Sequence, residues 1–95
     1  MKELRSERTD RLFETILRLE SVDECYAFFE DLCTVRELHD MAQRLEVAEL
    51  LSRGRNYAEV GEATGVSSAT ITRVKKCLDY GEGYRLALER GERKP

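Results

Sequence analysis

Apolar residues recur along the chain at intervals of three and four, the spacing that lines one face of an α-helix. Leu12, Phe13, Ile16 and Leu17 follow Thr9, a residue suited to capping, and predict a first helix over 10–20. Ser21 restarts the pattern, with Asp23 and Glu24 in the first turn, where negative side chains suit the helix dipole. The stripe of this second helix is Val22, Cys25, Tyr26, Phe29, Leu32 and Cys33. Thr34 with Glu37 three positions on has the form of a capping box. Behind it Leu38, Met41, Ala42, Leu45, Ala48 and Leu51 keep the period to about Arg53. Val47 and Leu50 widen this third apolar face beyond what one neighbour covers, which points to a partner subunit.

Gly54 ends the third helix, Asn56 caps a short one over Tyr57–Thr64, and Gly65 closes it. Ser67 caps the next, over 68–78, and Gly81 and Gly83 mark a turn before a last helix containing Tyr84, Leu86 and Leu88. The tail, 91–95, is expected to fray. The expected architecture is all-α, about six helices in a single domain spanning 1–95, with dimerisation helices over 9–53 and a helix-turn-helix over 57–78.

Composition sharpens this picture. A chain of 95 residues with 41% hydrophobic and 37% charged residues suits slender amphipathic helices that complete their core against a second copy. One proline and long glycine-free runs argue against strands joined by frequent turns. No stretch approaches the roughly 20 apolar residues of a bilayer span, and the charged start, Met1 to Arg8, precedes no apolar signal region, so a soluble, cytoplasmic protein is expected. Cys25, Cys33 and Cys77 form no C-x-x-C pair and His39 is the lone histidine, so no metal site is expected and the thiols read as small core residues.

The net charge of −3 conceals an asymmetry. Residues 1–52 hold 7 Lys and Arg against 13 Asp and Glu, whereas residues 53–80 hold 5 against 3. A local basic face suffices for phosphate contact, because only charges within about a Debye length of the backbone matter.

That basic region contains YAEVGEATGVSSATITRVKK, Tyr57 to Lys76, which has the form of a helix-turn-helix. Gly61 supplies a small residue where two steeply crossed helices touch, and Gly65 tolerates the positive φ of the tight turn. Val60, Val66, Ile71 and Val74 form apolar pins between the helices. Thr64 occupies a position where an apolar side chain is more usual. With the second helix in the major groove, Ser67, Ser68, Ala69 and Thr72 face base edges, offering hydroxyls and a methyl group, while Arg55, Arg73, Lys75 and Lys76 contact phosphates.

Within 32–78, RLEVAELL (Arg44 to Leu51) and GVSSATITR (Gly65 to Arg73) resemble the tryptophan repressor family, and MAQRLEVAELL with the CLDYG run resembles its YerC/YecD-type branch. The resemblance implies an intertwined all-α homodimer whose two heads read successive major grooves of double-stranded DNA at a near-palindromic operator. The tryptophan repressor is itself a standard instance of that docking mode. In tryptophan-sensing members the corepressor lies between the third helix and the recognition helix, held by an arginine from each and a serine. Arg44 and Arg73 fall at positions resembling the arginines. Val74, however, stands where the tryptophan-binding pattern has glycine, and Cys77 where it has serine. A β-branched side chain there fills the indole's space and a thiol is a weaker hydrogen-bond partner, so the small-molecule effector set Arg44, Arg73, Val74 and Cys77 argues against tryptophan. With no corepressor, Val74 would pin the recognition helix permanently in its binding orientation.

A helical protein–protein interaction module on the same fold is the alternative, supported by the acidic N-terminal half. An enzyme is not expected, because no nucleophile has an adjacent base and His39 lies on a polar helical stretch; neither catalytic residues nor a cofactor are assigned.

Overall fold

The computed structural model describes residues 4–93, which form six α-helices and no strand: α1 (Glu7–Ile16), α2 (Val22–Leu32), α3 (Val35–Ser52), α4 (Tyr57–Thr64), α5 (Ser68–Tyr80) and α6 (Gly83–Arg93). The all-α class and the helix count agree with the periodicity. The chain divides into two units, with the boundary after Leu38. Among the described residues no helix is long and apolar enough to cross a membrane.

Capping sets the helix boundaries in the first unit. Helix α1 begins at Glu7 rather than Asp10 because Ser6, not Thr9, is the cap: its hydroxyl oxygen accepts from the Thr9 amide at 3.0 Å. Two capping-competent residues stand three positions apart, and the earlier one captures the helix. The helix also stops at Ile16 rather than Glu20. Tight bonds from the Arg18 amide to the Thr15 carbonyl and from the Leu19 amide to the Ile16 carbonyl, 3.1 Å each, wind up its end. The Glu20 amide then donates to the Glu24 carboxylate at 2.7 Å, so residues 17–20 are used as a connector. Ser21 caps α2 through the Glu24 amide at 3.0 Å. The Thr34–Glu37 capping box is reciprocal, at 2.8 and 3.0 Å.

No residue of α1 or α2 is buried. Phe13, Leu17, Val22 and Tyr26 are 57 to 83% exposed, although all four lie on the apolar stripes. Cys25 is exposed with them, Cys77 is exposed on α5 and Cys33 is half-buried, so the thiols do not form the core expected of them. The stripe that carries Cys25 is itself uncovered in the single chain.

The second unit holds the core. Val47 and Ala48 of α3, Val60 of α4, and Ile71 and Val74 of α5 are at most 2% exposed, and Leu50, Leu51, Val66, Leu78, Tyr84 and Leu88 pack against them. All four expected pins belong to this cluster. The face of α3 that enters it centres on Val47 and Leu51, whereas Met41 and Leu45, also on the predicted stripe, remain on the exposed side. Helix α6 continues through Arg93, and of the tail expected to fray residues 94–95 lie outside the described residues.

Candidate nucleic-acid interface

The turn between α4 and α5 is built by short-range bonds. Asn56 and Glu59 form a reciprocal capping box at the start of α4, at 2.8 and 3.0 Å, and Gly65 ends the helix at φ 76° and ψ 6° with its amide on the Gly61 carbonyl, 2.8 Å away. Thr64, the residue that looks out of place in the motif, is satisfied: its hydroxyl donates to the Val60 carbonyl at 2.8 Å and accepts from the Val66 amide at 3.3 Å. A half-buried hydroxyl that finds both partners inside the turn carries little desolvation penalty.

The two glycines of the motif differ in what they require. A Cβ on Gly61 would meet the Ile71 Cδ1 at 3.8 Å, ordinary contact, so the close approach of α4 to α5 leaves room for a methyl group. Gly65 has open space around it but a left-handed backbone that an L side chain resists. Gly65→Ala is therefore expected to destabilise the protein by about 1 to 2 kcal/mol. Gly61→Ala should be neutral or stabilising by up to about 1 kcal/mol through helix propensity. Paired thermal melts decide the matter; equal shifts for the two variants would contradict the assigned turn geometry.

From this turn α5 projects. Ser67 caps it by accepting from the Thr70 amide at 3.2 Å, and its hydroxyl donates to the Thr70 Oγ1, also 3.2 Å away. Its hydroxyl is thus committed to holding the helix start. At about 100° per residue, Ile71, Val74 and Leu78 share the side turned into the core, Ala69, Thr72, Arg73 and Lys76 lie on the opposite side, and Ser68 and Lys75 lie on its flank, nearer Ile71. The six on the opposite side and its flank are all exposed, as are Ser67 and Arg55, the latter in the connector between α3 and α4. The amides of Ser68 and Ala69 stand in the first turn, without intrahelical acceptors.

The exposed cations of α5 are not equivalent. Lys75 Nζ lies 3.1 Å from Asp79 Oδ1, the only ion pair among the described residues, with both side chains a little under half exposed. Such an i,i+4 pair is worth no more than about 0.5 kcal/mol, yet it leaves Arg73 and Lys76 as the cations of α5 without an ionic partner among the described residues.

Of Arg44, Arg73, Val74 and Cys77, Arg44 alone lines a cavity among the described residues. Arg44 lines an open pocket of about 280 Å³ with Asp40, Gln43, Val66, Ser67 and Thr70. Val74 is 1% exposed and sits in the core, while Arg73 and Cys77 are exposed elsewhere on α5. Gln43 is not visible as a functional residue in the sequence; its side-chain Nε2 donates to the Thr64 carbonyl at 3.1 Å. The only signal is its position four residues before Val47, on the side of α3 that enters the core.

The profile of the Trp repressor protein family matches residues 7–92. Over 88 residues the chain is 51% identical to the uncharacterized protein YerC of Bacillus subtilis, covering 92% of this chain and 85% of that one. It is similar in structure to a TrpR-like protein of Eubacterium eligens, with a TM-score of 0.91 and 42% identity, covering 98% of this chain and 97% of the other. A putative Trp repressor of Staphylococcus aureus matches with a TM-score of 0.92 and 41% identity over 99% of this chain and 98% of its own.

Proposed function

The chain belongs to the Trp repressor family, in its YerC-type branch, and on that basis we propose that it is a sequence-specific DNA-binding transcriptional regulator, a repressor that acts as a homodimer on a near-palindromic operator. The single observation that carries the reading is the exposed surface of α5, where the short residues Ala69 and Thr72 stand beside Arg73 and Lys76 opposite the core, with Ser68 and Lys75 exposed on the flank, on a helix fixed from behind by Ile71 and Val74. Short side chains let the helix lie close to base edges, where hydroxyls, a methyl group and bridging waters can read sequence. Arg55, Arg73, Lys75 and Lys76 hold the phosphates, and Ser67 serves by capping the reading helix. A protein-docking surface would have no need of cations gathered on the side with the smallest residues.

The homodimer is supported by the apolar stripes of residues 9–53 that remain exposed in the single chain, Phe13, Leu17, Val22 and Tyr26 among them. Exposed apolar area of this extent marks an association surface. Two heads related by a two-fold axis then meet half-sites about one helical turn apart. Tryptophan is not the effector in this reading. Val74 is fixed in the core and neither Arg73 nor Cys77 reaches the pocket lined by Arg44.

The test is selection of bound sequences from a random duplex pool at low salt, with light scattering of the same preparation. A dimer mass and an enriched near-palindrome are expected, and Ser68→Ala or Thr72→Ala should shift the preferred bases more than the overall affinity. Absence of binding to any duplex would end the reading, and a monomer mass at micromolar concentration would end the dimer.

A further inference from the structure

Among the described residues every side-chain hydrogen bond but one joins residues at most four apart. The exception is Gln43 Nε2 to the Thr64 carbonyl, 3.1 Å, half-buried and spanning 21 positions from α3 to the last residue of α4. We infer that Gln43 is a positioning residue for the reading head, a directional clamp that fixes the turn before α5 at a set distance from α3; the inference rests on the DNA-binding reading.

Three features assign that role. The Thr64 carbonyl closes α4, where backbone acceptors have no helical partner, and Gln43 supplies one. The same residue's hydroxyl bonds to Val60 and accepts the Val66 amide, so the turn is already tied within itself and Gln43 ties it to the body. The buried core that α3 shares with the head is apolar, Val47 and Ala48 clustering with Val60, Ile71 and Val74. Apolar packing is non-directional and leaves some freedom to slide or rotate, whereas a hydrogen bond weakens steeply with angle. Ser67, which starts the reading helix, follows Thr64 by three residues, so a displacement of the turn is carried directly to Ser68, Ala69 and Thr72. Gln43 makes with the protein's own atoms a link between α3 and the head, and no ligand is needed to complete it.

Gln43→Glu keeps the shape but replaces the donor with an acceptor facing an acceptor. Gln43→Lys keeps a donor and the reach. Affinity for the selected duplex and amide hydrogen exchange are measured on the wild type and both variants. Gln43→Glu is expected to weaken duplex binding about tenfold or more and to speed exchange at Gly65 and Val66 by a similar factor, with Leu78 changing less than about twofold. Gln43→Lys should recover most of both effects, which a role in bulk packing would not produce. If the wild type binds duplex and Gln43→Glu binds it equally well, or if Gln43→Lys loses as much as Gln43→Glu, the clamp is overturned. A wild type that binds no duplex instead overturns the functional reading on which the clamp depends.

Discussion

Ile71→Ala should cost the protein about 2 to 5 kcal/mol, the usual range for removing three carbons from a closed core. Ile71 is 2% exposed, belongs to the cluster formed by α3, α4 and α5, and has its Cδ1 3.8 Å from where a Cβ on Gly61 would lie. Nothing beside it is free to collapse, because Val47, Val60 and Val74 are branched at Cβ and stiff about χ1. Natural domains are stable by only about 5 to 15 kcal/mol, so the loss consumes a large part of the margin. At about 4 to 8 °C per kcal/mol for a chain of this size, the thermal midpoint should fall by at least about 8 °C at fixed protein concentration. Ile71→Val should fall much less, at about 0.5 to 1.5 kcal/mol. A drop below about 4 °C for the alanine variant would mean that the α4–α5 pair is not held by this core.

Replacing Arg73 and Lys76 together by alanine should lower duplex affinity about a hundredfold or more and flatten its salt dependence. Each neutralised phosphate contributes about 0.9 to the slope of log K against log salt, and in a homodimer each substitution counts twice, so the slope should fall by about 3 to 4. These two cations lack an ionic partner among the described residues, whereas Lys75 already spends part of its charge on Asp79. The loss should be nearly uniform over sequences, since phosphate contacts position without specifying. Fluorescence anisotropy on matched and scrambled duplexes, from about 50 to 300 mM salt, separates the outcomes. An unchanged slope would remove Arg73 and Lys76 from the interface even if affinity fell.

Much of this architecture can be read from residue order, and the parts that cannot share a physical cause. Capping, glycine turns and apolar spacing are local, so Ser21, Thr34, Asn56, Gly65 and Ser67 each mark a boundary found in the structure. The start of α1 falls elsewhere than expected because Ser6 and Thr9 compete on equal chemical terms, and only the backbone geometry decides. Which side of α3 meets the head is harder still. Leu38, Met41 and Leu45 and the adjacent Val47 and Leu51 are both plausible faces, and burial depends on contacts far along the chain. The exposed side of α5 follows from its periodicity once Ile71 and Val74 are taken as pins. Gln43 is invisible for the opposite reason: a lone glutamine on a polar-rich helix carries no pattern, and its partner is a backbone carbonyl, which any residue could supply.

Val74 is 1% exposed, so any ligand slot opened at its position would come at the expense of the fold. Carving a ligand slot at that point means taking a side chain out of the dense cluster of the second unit and putting glycine inside a helix. The combined penalty is several kcal/mol by cavity and propensity effects. A descendant that did so would fold in proportion to the small molecule filling the hole, so that metabolite sensing would arrive as ligand-dependent folding rather than as a hinge motion.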